Sequence, residues 1–266
     1  MEYIVYAILF VFGLLIGSFL NVVILRFDTG LPVSKGRSAC FSCGKTLEWY
    51  ELVPVLSFIF LRGRCRGCKS TISWQYPFVE MLAGLAFVLA FIRTESGPYP
   101  SLAFVLVAAL LCLYIVICVY DLRHKIIPDI FSYGAALIAL GLLALYGLAT
   151  GSFPFSNVFA GIGLFSFFFL FWFLSRGTWM GLGDAKLALS VGFFLGVSKG
   201  IGAILLSFWI GAAVTLLLML FQRLLGRAGR LGFKSEVPFG PFILIGFLIA
   251  FLWNADVQSI LSFLAL

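Results

Sequence analysis

Residues 101–121 read SLAFVLVAALLCLYIVICVYD, a run of twenty uncharged residues that ends in an aspartate. An apolar run of roughly 20 residues is long enough to cross the hydrocarbon core of a bilayer as an α-helix. The same pattern recurs along the chain, and it predicts an all-α polytopic membrane protein with about eight transmembrane helices. The eight predicted spans are 3–25, 74–92, 101–120, 130–148, 155–175, 185–198, 201–222 and 239–262.

The composition supports a helical membrane protein. Of the 266 residues 62% are hydrophobic and 11% are charged, and the mean hydropathy is +1.13. A soluble domain usually carries about a quarter charged residues. A membrane β-barrel would need alternating polar and apolar residues, which the runs lack. The sequence therefore indicates a bundle of helices in which each helix satisfies its own backbone hydrogen bonds.

The basic residues predict the topology. Connections on the cytoplasmic side of a membrane are rich in Lys and Arg, and only Arg93 and Lys199 fall on the other side of the predicted bundle. No basic segment precedes the first run, so we expect a retained span with its N-terminus outside rather than a signal peptide. The net charge of +7 is then explained by contacts with membrane lipid and requires no nucleic acid. The predicted cytoplasmic cations are Arg26, Lys35, Arg37, Lys45, Arg62, Arg64, Arg66, Lys69, Arg123, Lys125, Arg176, Lys186, Arg223, Arg227, Arg230 and Lys234.

One predicted connection, residues 26–73, is long enough to form a small cytoplasmic domain. It contains two C-x-x-C pairs separated by 21 residues, which is the pattern of a zinc ribbon with one tetrahedral metal. Two disulfides or four free thiols are the alternatives, but cytoplasmic proteins rarely keep disulfides. We therefore expect a structural zinc ion bound by Cys40, Cys43, Cys65 and Cys68.

Acidic residues are scarce near the spans, and such residues are usually functional in a membrane protein. Asp121 closes the third span, and Asp184 opens the sixth in Gly181-Leu182-Gly183-Asp184. The predicted topology places both at the cytoplasmic ends of their helices, where two carboxylates could share a proton as in an aspartyl protease. The alternatives are a helix N-cap for Asp184 and ordinary solvation for Asp121 and for Asp129.

These residues resemble a known family. Tyr120-Asp121 together with the GLGD stretch at 181–184 is similar to the GxGD class of intramembrane aspartyl proteases. Further motifs select the bacterial type IV prepilin leader peptidase/N-methyltransferase family, and the resemblance runs nearly end to end. Those motifs are GSFLNVVI at 17–24, the four loop cysteines, VPVLS at 53–57, LRGRCR at 61–66, YPFVE at 76–80, IPD at 127–129 and VPFGP at 237–241.

The resemblance implies an activity and the residues that carry it. It implies cleavage of the basic leader from type IV prepilins or pseudopilins, followed by methylation of the new N-terminus with S-adenosylmethionine. Asp121 and Asp184 match the two catalytic aspartates of the family, whereas Asp129 matches a recurrent position that is not catalytic. A multi-pass protein of the bacterial inner membrane is implied, with its active site facing the cytoplasm.

The resemblance also suggests a division of the chain. A first transmembrane helix at 1–25 would precede the four-cysteine loop domain at 26–73, and a transmembrane aspartyl peptidase core would follow at 74–266. One departure concerns the loop, which is associated with methyl transfer: relatives often read Trp-Tyr-Asp-Asn where this chain has Trp49-Tyr50-Glu51-Leu52. A peptidase without methyltransferase activity is therefore one alternative function.

Two other functions are compatible with a polytopic chain that carries acids. A GxGD protease could act on other membrane helices, although the four cysteines and the motif in the first span argue against it. A transporter would place acids near the bilayer midplane and would show matching halves. Here only Glu80 lies inside a span, and the halves do not match.

Overall fold

The computed structural model describes residues 2–33, 36–224 and 237–264. Within these ranges the chain is helical apart from its connections, and six helices are long and apolar enough to cross a membrane. The predicted all-α polytopic class is therefore confirmed. The helices are α1 Glu2–Arg26, α2 Leu56–Phe60, α3 Gln75–Thr94, α4 Pro100–His124, α5 Asp129–Thr150, α6 Phe155–Ser175, α7 Leu182–Leu224, α8 Gly240–Trp253 and α9 Val257–Leu264.

The chain divides into two compact units, Met1–Val116 and Ile117–Leu266. In the first unit, α1 packs against α3 through small residues. A Cβ atom added to Gly17 would lie 2.6 Å from the Cα of Glu80, so a larger side chain would push the two helices apart. Close approach through glycine is a common way for helices to pack in lipid, where the hydrophobic effect does not drive helices together.

In the second unit, α7 is the central helix and packs against α5, α6, α8 and α9. It joins the predicted sixth and seventh spans in one element, but the backbone of Gly196 inside it is not helical, with φ 76° and ψ −172°. Such a backbone is essentially restricted to glycine. The amide of Asn157 on α6 donates to the carbonyl oxygen of Phe193 at 3.2 Å, which satisfies a backbone group next to this break.

The last predicted span, 239–262, is two helices rather than one. The 14-residue helix α8 ends at Trp253, and Asn254 follows it in a left-handed conformation. Lys199 donates to the side-chain oxygen of Asn254 at 2.8 Å, so a polar contact holds the chain where the apolar run is interrupted. A helix of 14 residues is about 21 Å long, which is less than the roughly 30 Å of a hydrocarbon core.

Some of the predictions fall outside what the structure describes or tests. Four of the predicted cytoplasmic cations, Lys35, Arg227, Arg230 and Lys234, lie outside the described residues. The division into a first span, a loop domain at 26–73 and a peptidase core at 74–266 stays a prediction.

Candidate functional site

The two predicted aspartates both lie in the second unit, at the ends of helices. Asp121 belongs to the last turn of α4, and the chain leaves this helix through Lys125, whose backbone N–H donates to the carbonyl oxygen of Asp121 at 2.8 Å. Asp184 belongs to the first turn of α7. Both side chains are buried, and Ile127 contacts both the glycine before Asp184 and the glycine whose N–H binds Asp121. The structure therefore brings together the pair that the sequence predicts.

A third helix end completes this arrangement. The backbone N–H of Gly240, the first residue of α8, donates to Oδ2 of Asp121 at 3.1 Å. A Cβ atom at position 240 would lie 2.7 Å from the same oxygen, so the contact requires a residue without a side chain. The hydrogen bond uses one lone pair of Oδ2, and the remaining lone pairs of the carboxylate stay available for a proton or a second donor.

Ile127 fills the space between the helix ends. It precedes Pro128 in the turn from α4 to α5, and its side chain would be 2.7 Å from a Cβ at Gly183 and 3.2 Å from a Cβ at Gly240. Gly183, which precedes Asp184, and Gly240, which binds Asp121, thus both pack on the side chain of Ile127. The glycines are needed because any larger residue would displace Ile127, and with it one half of the pair.

A third acid, Asp129, has a different partner. Nζ of Lys186 lies 2.6 Å from Oδ1 of Asp129 and 5.3 Å from the centre of the Tyr133 ring. The Lys186 side chain is 9% exposed, whereas that of Asp129 is 65% exposed. The pair therefore joins the beginning of α5 to the first turn of α7, next to Asp184. Ordinary solvation, the alternative for Asp129, is therefore not its whole role, because the residue also neutralises a buried lysine.

The four loop cysteines of the first unit form a compact cluster. Their sulfur atoms all lie within 4.8 Å of one another, and the Sγ atoms of Cys40 and Cys68 are 3.8 Å apart. Sulfur atoms bound to one tetrahedral zinc at about 2.3 Å are separated by roughly 3.8 Å. The cysteines are free of disulfides. The cluster could therefore hold a metal ion, and its geometry fits zinc.

The two C-x-x-C segments are folded alike. The backbone N–H of Cys40 donates to Lys45 and that of Gly44 donates back to Cys40, while Cys65, Lys69 and Ser70 repeat both contacts. Gly44 and Lys69 both have positive φ angles. Hydrogen bonds from the backbone of Cys43 and Ser42 lower the pKa of the Cys40 thiol to about 6. A thiol that ionises readily is a better metal ligand.

The turn Trp49–Glu51 is fixed to both cysteine segments. Lys45 donates to both carboxylate oxygens of Glu51 at 3.0 Å, and the backbone N–H of Glu48 donates to Oε2 at 2.9 Å. These contacts lower the pKa of Glu51. Arg66 donates to the Tyr50 hydroxyl at 2.8 Å and lies over its ring. Glu51 is thus a buried structural residue of this loop.

Comparisons with known proteins identify the family of the chain. The bacterial peptidase A24 N-terminal domain family matches residues 11–94, and the type IV leader peptidase family matches residues 106–216. The chain belongs to the type IV leader peptidase family. The family predicted from the motifs is therefore confirmed.

Several relatives carry the name prepilin leader peptidase/N-methyltransferase. The protein from Bacillus subtilis is 32% identical over 97% of this chain and 96% of its own length. The protein from Dickeya chrysanthemi is 32% identical over 89% of this chain and 88% of its own length. The Myxococcus xanthus protein is 37% identical over 83% of this chain, and the chain spans 64% of its length. No solved structure matches this chain.

Two residues around the aspartate pair do not stand out in the sequence. Lys186 is indicated there only as a charge that sets topology, although a lysine inside a spanning helix requires a partner. Gly240 is only one residue of a longer motif. The prolines on either side of it, Pro238 and Pro241, are typical of a helix beginning, but a backbone N–H that binds a distant acid leaves no mark in the sequence.

The Asp129–Lys186 pair yields a prediction about stability. Replacing Asp129 by Ala should lower the free energy of unfolding by about 1–3 kcal/mol, because the buried ammonium of Lys186 loses its hydrogen-bond acceptor. Replacing Lys186 by Met should have a smaller effect, since Asp129 is mostly exposed and water can solvate it. Thermal unfolding of the purified variants in detergent measures both changes.

The double variant provides the control for this prediction. Asp129→Ala combined with Lys186→Met should be about as stable as Lys186→Met alone, because the ammonium that Asp129 neutralises is no longer there. If the two losses add instead, the two residues do not act as a pair.

Proposed function

We propose that this protein is a prepilin leader peptidase that uses Asp121 and Asp184 as its catalytic pair and then methylates the new N-terminus. The observation that carries the proposal is the meeting of two buried acids at the ends of α4 and α7, with Asp121 bound by the N–H of Gly240. Membership of the type IV leader peptidase family and the names of the relatives support both activities.

The proposed cleavage follows aspartyl protease chemistry. One carboxylate takes a proton from water, and the water oxygen attacks the carbonyl carbon of the scissile peptide bond. The other acid, which is protonated, donates a hydrogen bond to the carbonyl oxygen and stabilises the tetrahedral intermediate. The amide nitrogen of the leaving segment is then protonated and the C–N bond breaks. The pair exchanges protons as a unit, so neither residue is assigned a fixed role.

The substrate suits a site at the end of spanning helices. A prepilin has a basic leader followed by a hydrophobic helix, so its scissile bond lies where that helix leaves the membrane. We propose that the pair faces the cytoplasm in the bacterial inner membrane, as the distribution of Lys and Arg indicates. The glycines at 181 and 183 beside Asp184 leave room for an extended peptide backbone.

Methyl transfer requires a co-substrate, and we propose S-adenosylmethionine because it supplies an electrophilic methyl group. The free amine at the new N-terminus is the nucleophile, and it has to lose a proton to react. We propose a structural role for zinc at Cys40, Cys43, Cys65 and Cys68, because four cysteine ligands leave no open position for chemistry. This metal would stabilise the loop in which Glu51 is fixed.

Exchange of either aspartate for asparagine tests the catalytic pair. Asp121→Asn or Asp184→Asn keeps the size of the side chain but removes the proton, so cleavage should fall by on the order of 10²–10⁴-fold or more. The assay incubates purified enzyme with a prepilin in detergent and detects the shortened product by mass spectrometry. Asp129→Asn is the matched control and should retain most of the activity, since Asn can still accept a hydrogen bond from Lys186. Full activity in either variant of the pair would refute the assignment.

Metal analysis tests the zinc site. Purified protein should contain about one zinc ion per chain, and Cys65→Ser should reduce this content because Cys65 is a buried ligand in the proposed shell. Cys112→Ser serves as the control, since Cys112 lies in α4, outside the cluster. Protein without zinc, in which peptide mapping finds Cys40 bonded to Cys43 and Cys65 to Cys68, would contradict the proposal.

The two activities should be separable. Asp184→Asn should still methylate a pre-cleaved pilin with a free N-terminus, because methyl transfer does not require the carboxylate pair. Glu51→Ala should lower methylation more than cleavage, because it releases Lys45 and loosens the turn between the two cysteine segments. Mass spectrometry distinguishes the products by the mass of one methyl group. If the wild-type protein cleaves the substrate but never methylates the product, the protein is a peptidase without methyltransferase activity.

A further inference from the structure

The short helix α2 exposes an unusual amount of apolar surface. Leu56 is 52% exposed, Ile59 61% and Phe60 79%, although this helix has only five residues. Trp74, just before α3, is 76% exposed. Large apolar side chains that cluster on a surface usually mark a contact with another protein or with a membrane.

The position of α2 favours the membrane. The backbone N–H of Val55, just before α2, donates to Oε2 of Glu80 in α3 at 2.8 Å. The ring of Phe58 in α2 lies 4.8 Å from that of Trp74. Two independent contacts thus hold α2 against the beginning of α3. Because α3 is a candidate membrane span, its first turns lie near the membrane surface. The contacts with these turns place α2 at the same level.

The backbone conformation of Val55 supports a fixed attachment of α2 to α3. Val55 has φ 60° and ψ −50°, and a positive φ is strongly disfavoured for a β-branched residue. Such a conformation persists only where the surrounding contacts enforce it. Here the hydrogen bond to the buried carboxylate of Glu80 provides that constraint. The attachment of α2 is therefore specific.

The residues after α2 complete an interfacial pattern. Arg62 and Arg64 are both exposed, and among the described residues neither forms an ion pair. Basic residues beside apolar ones match the boundary of a bilayer, where acyl chains meet phosphate groups. A protein partner or a second copy of the chain would not explain why this surface lies at the end of a spanning helix.

We propose that α2 is an interfacial anchor, in which Leu56, Ile59 and Phe60 insert into the acyl boundary of the bilayer and Arg62 and Arg64 contact lipid phosphates. The anchor fixes the four-cysteine loop to the membrane surface at a third place, in addition to the two helices at its ends. It is a lipid contact and does not depend on either enzymatic activity.

Photo-crosslinking to lipid tests the anchor in the full-length protein. A benzophenone amino acid is placed at Phe60, the protein is reconstituted into nanodiscs that contain phosphatidylglycerol and phosphatidylethanolamine, and the products of irradiation are analysed by mass spectrometry. The control is the same amino acid at Phe41, which is 80% exposed and lies between Cys40 and Ser42. Because Phe60 and Phe41 are almost equally exposed, a difference in the yield of lipid adducts reflects the distance of each residue from the membrane and not its accessibility.

The proposal expects a yield of lipid adducts at position 60 several times that at position 41. A second variant at Ile59 repeats the test in case the substitution at Phe60 disturbs folding, which circular dichroism would detect. Equal yields at 41 and 60, or no lipid adduct at either 59 or 60 in folded protein, would overturn the anchor. An adduct with the mass of a second protein chain at position 60 would also overturn it, since another protein would then be the partner.

Discussion

The site depends on the hydrogen bond from the N–H of Gly240 to Asp121, which joins the beginning of α8 to the end of α4. A carboxylate beside hydrocarbon is costly unless donors satisfy its oxygens. The donor here is the first free backbone N–H of α8, and a helix beginning has such groups to spare because they lack partners within the helix. The positive end of the helix dipole also points at the acid. One backbone contact thus holds α8 to the end of α4.

A helix beginning also stabilises Asp184, the second acid of the pair. Asp184 lies in the first turn of α7, where its own helix beginning faces it, and Lys186 in the same turn is neutralised by Asp129 of α5. Charges at this end of the second unit are therefore paired: the N–H of Gly240 binds Asp121, and Asp129 neutralises Lys186. Helices that pack only through apolar faces could shift along one another, and these few polar contacts fix their relative positions.

Hydrophobic runs and isolated acids made most of this site predictable. Spans of about 20 apolar residues are clear in the sequence, and acids at their ends are rare enough for Asp121 and Asp184 to be paired by their expected depth. The predicted boundary between the spans 185–198 and 201–222 lies a few residues after Gly196, because the apolar pattern continues through Gly196 and only the backbone angles reveal the interruption. The contact of Gly240 could not be predicted, since it is made by a backbone atom. The partner of Lys186 depends on packing between α5 and α7, which the sequence does not encode locally.

The loop that carries the cysteines has to be stabilised by something other than a hydrophobic core. Among its described residues from 36 to 73, only Glu51, Pro54 and Cys65 are buried, so the loop has almost no hydrophobic core. Segments this small need a metal, disulfides or an external support to fold. Its buried residues are a cysteine of the proposed metal site, a carboxylate that binds Lys45 and a proline just before the attachment of Val55 to Glu80. The stability of the loop must therefore come from the cysteine cluster, from these polar contacts and from its attachment to α3, and each of the three compensates for the missing core.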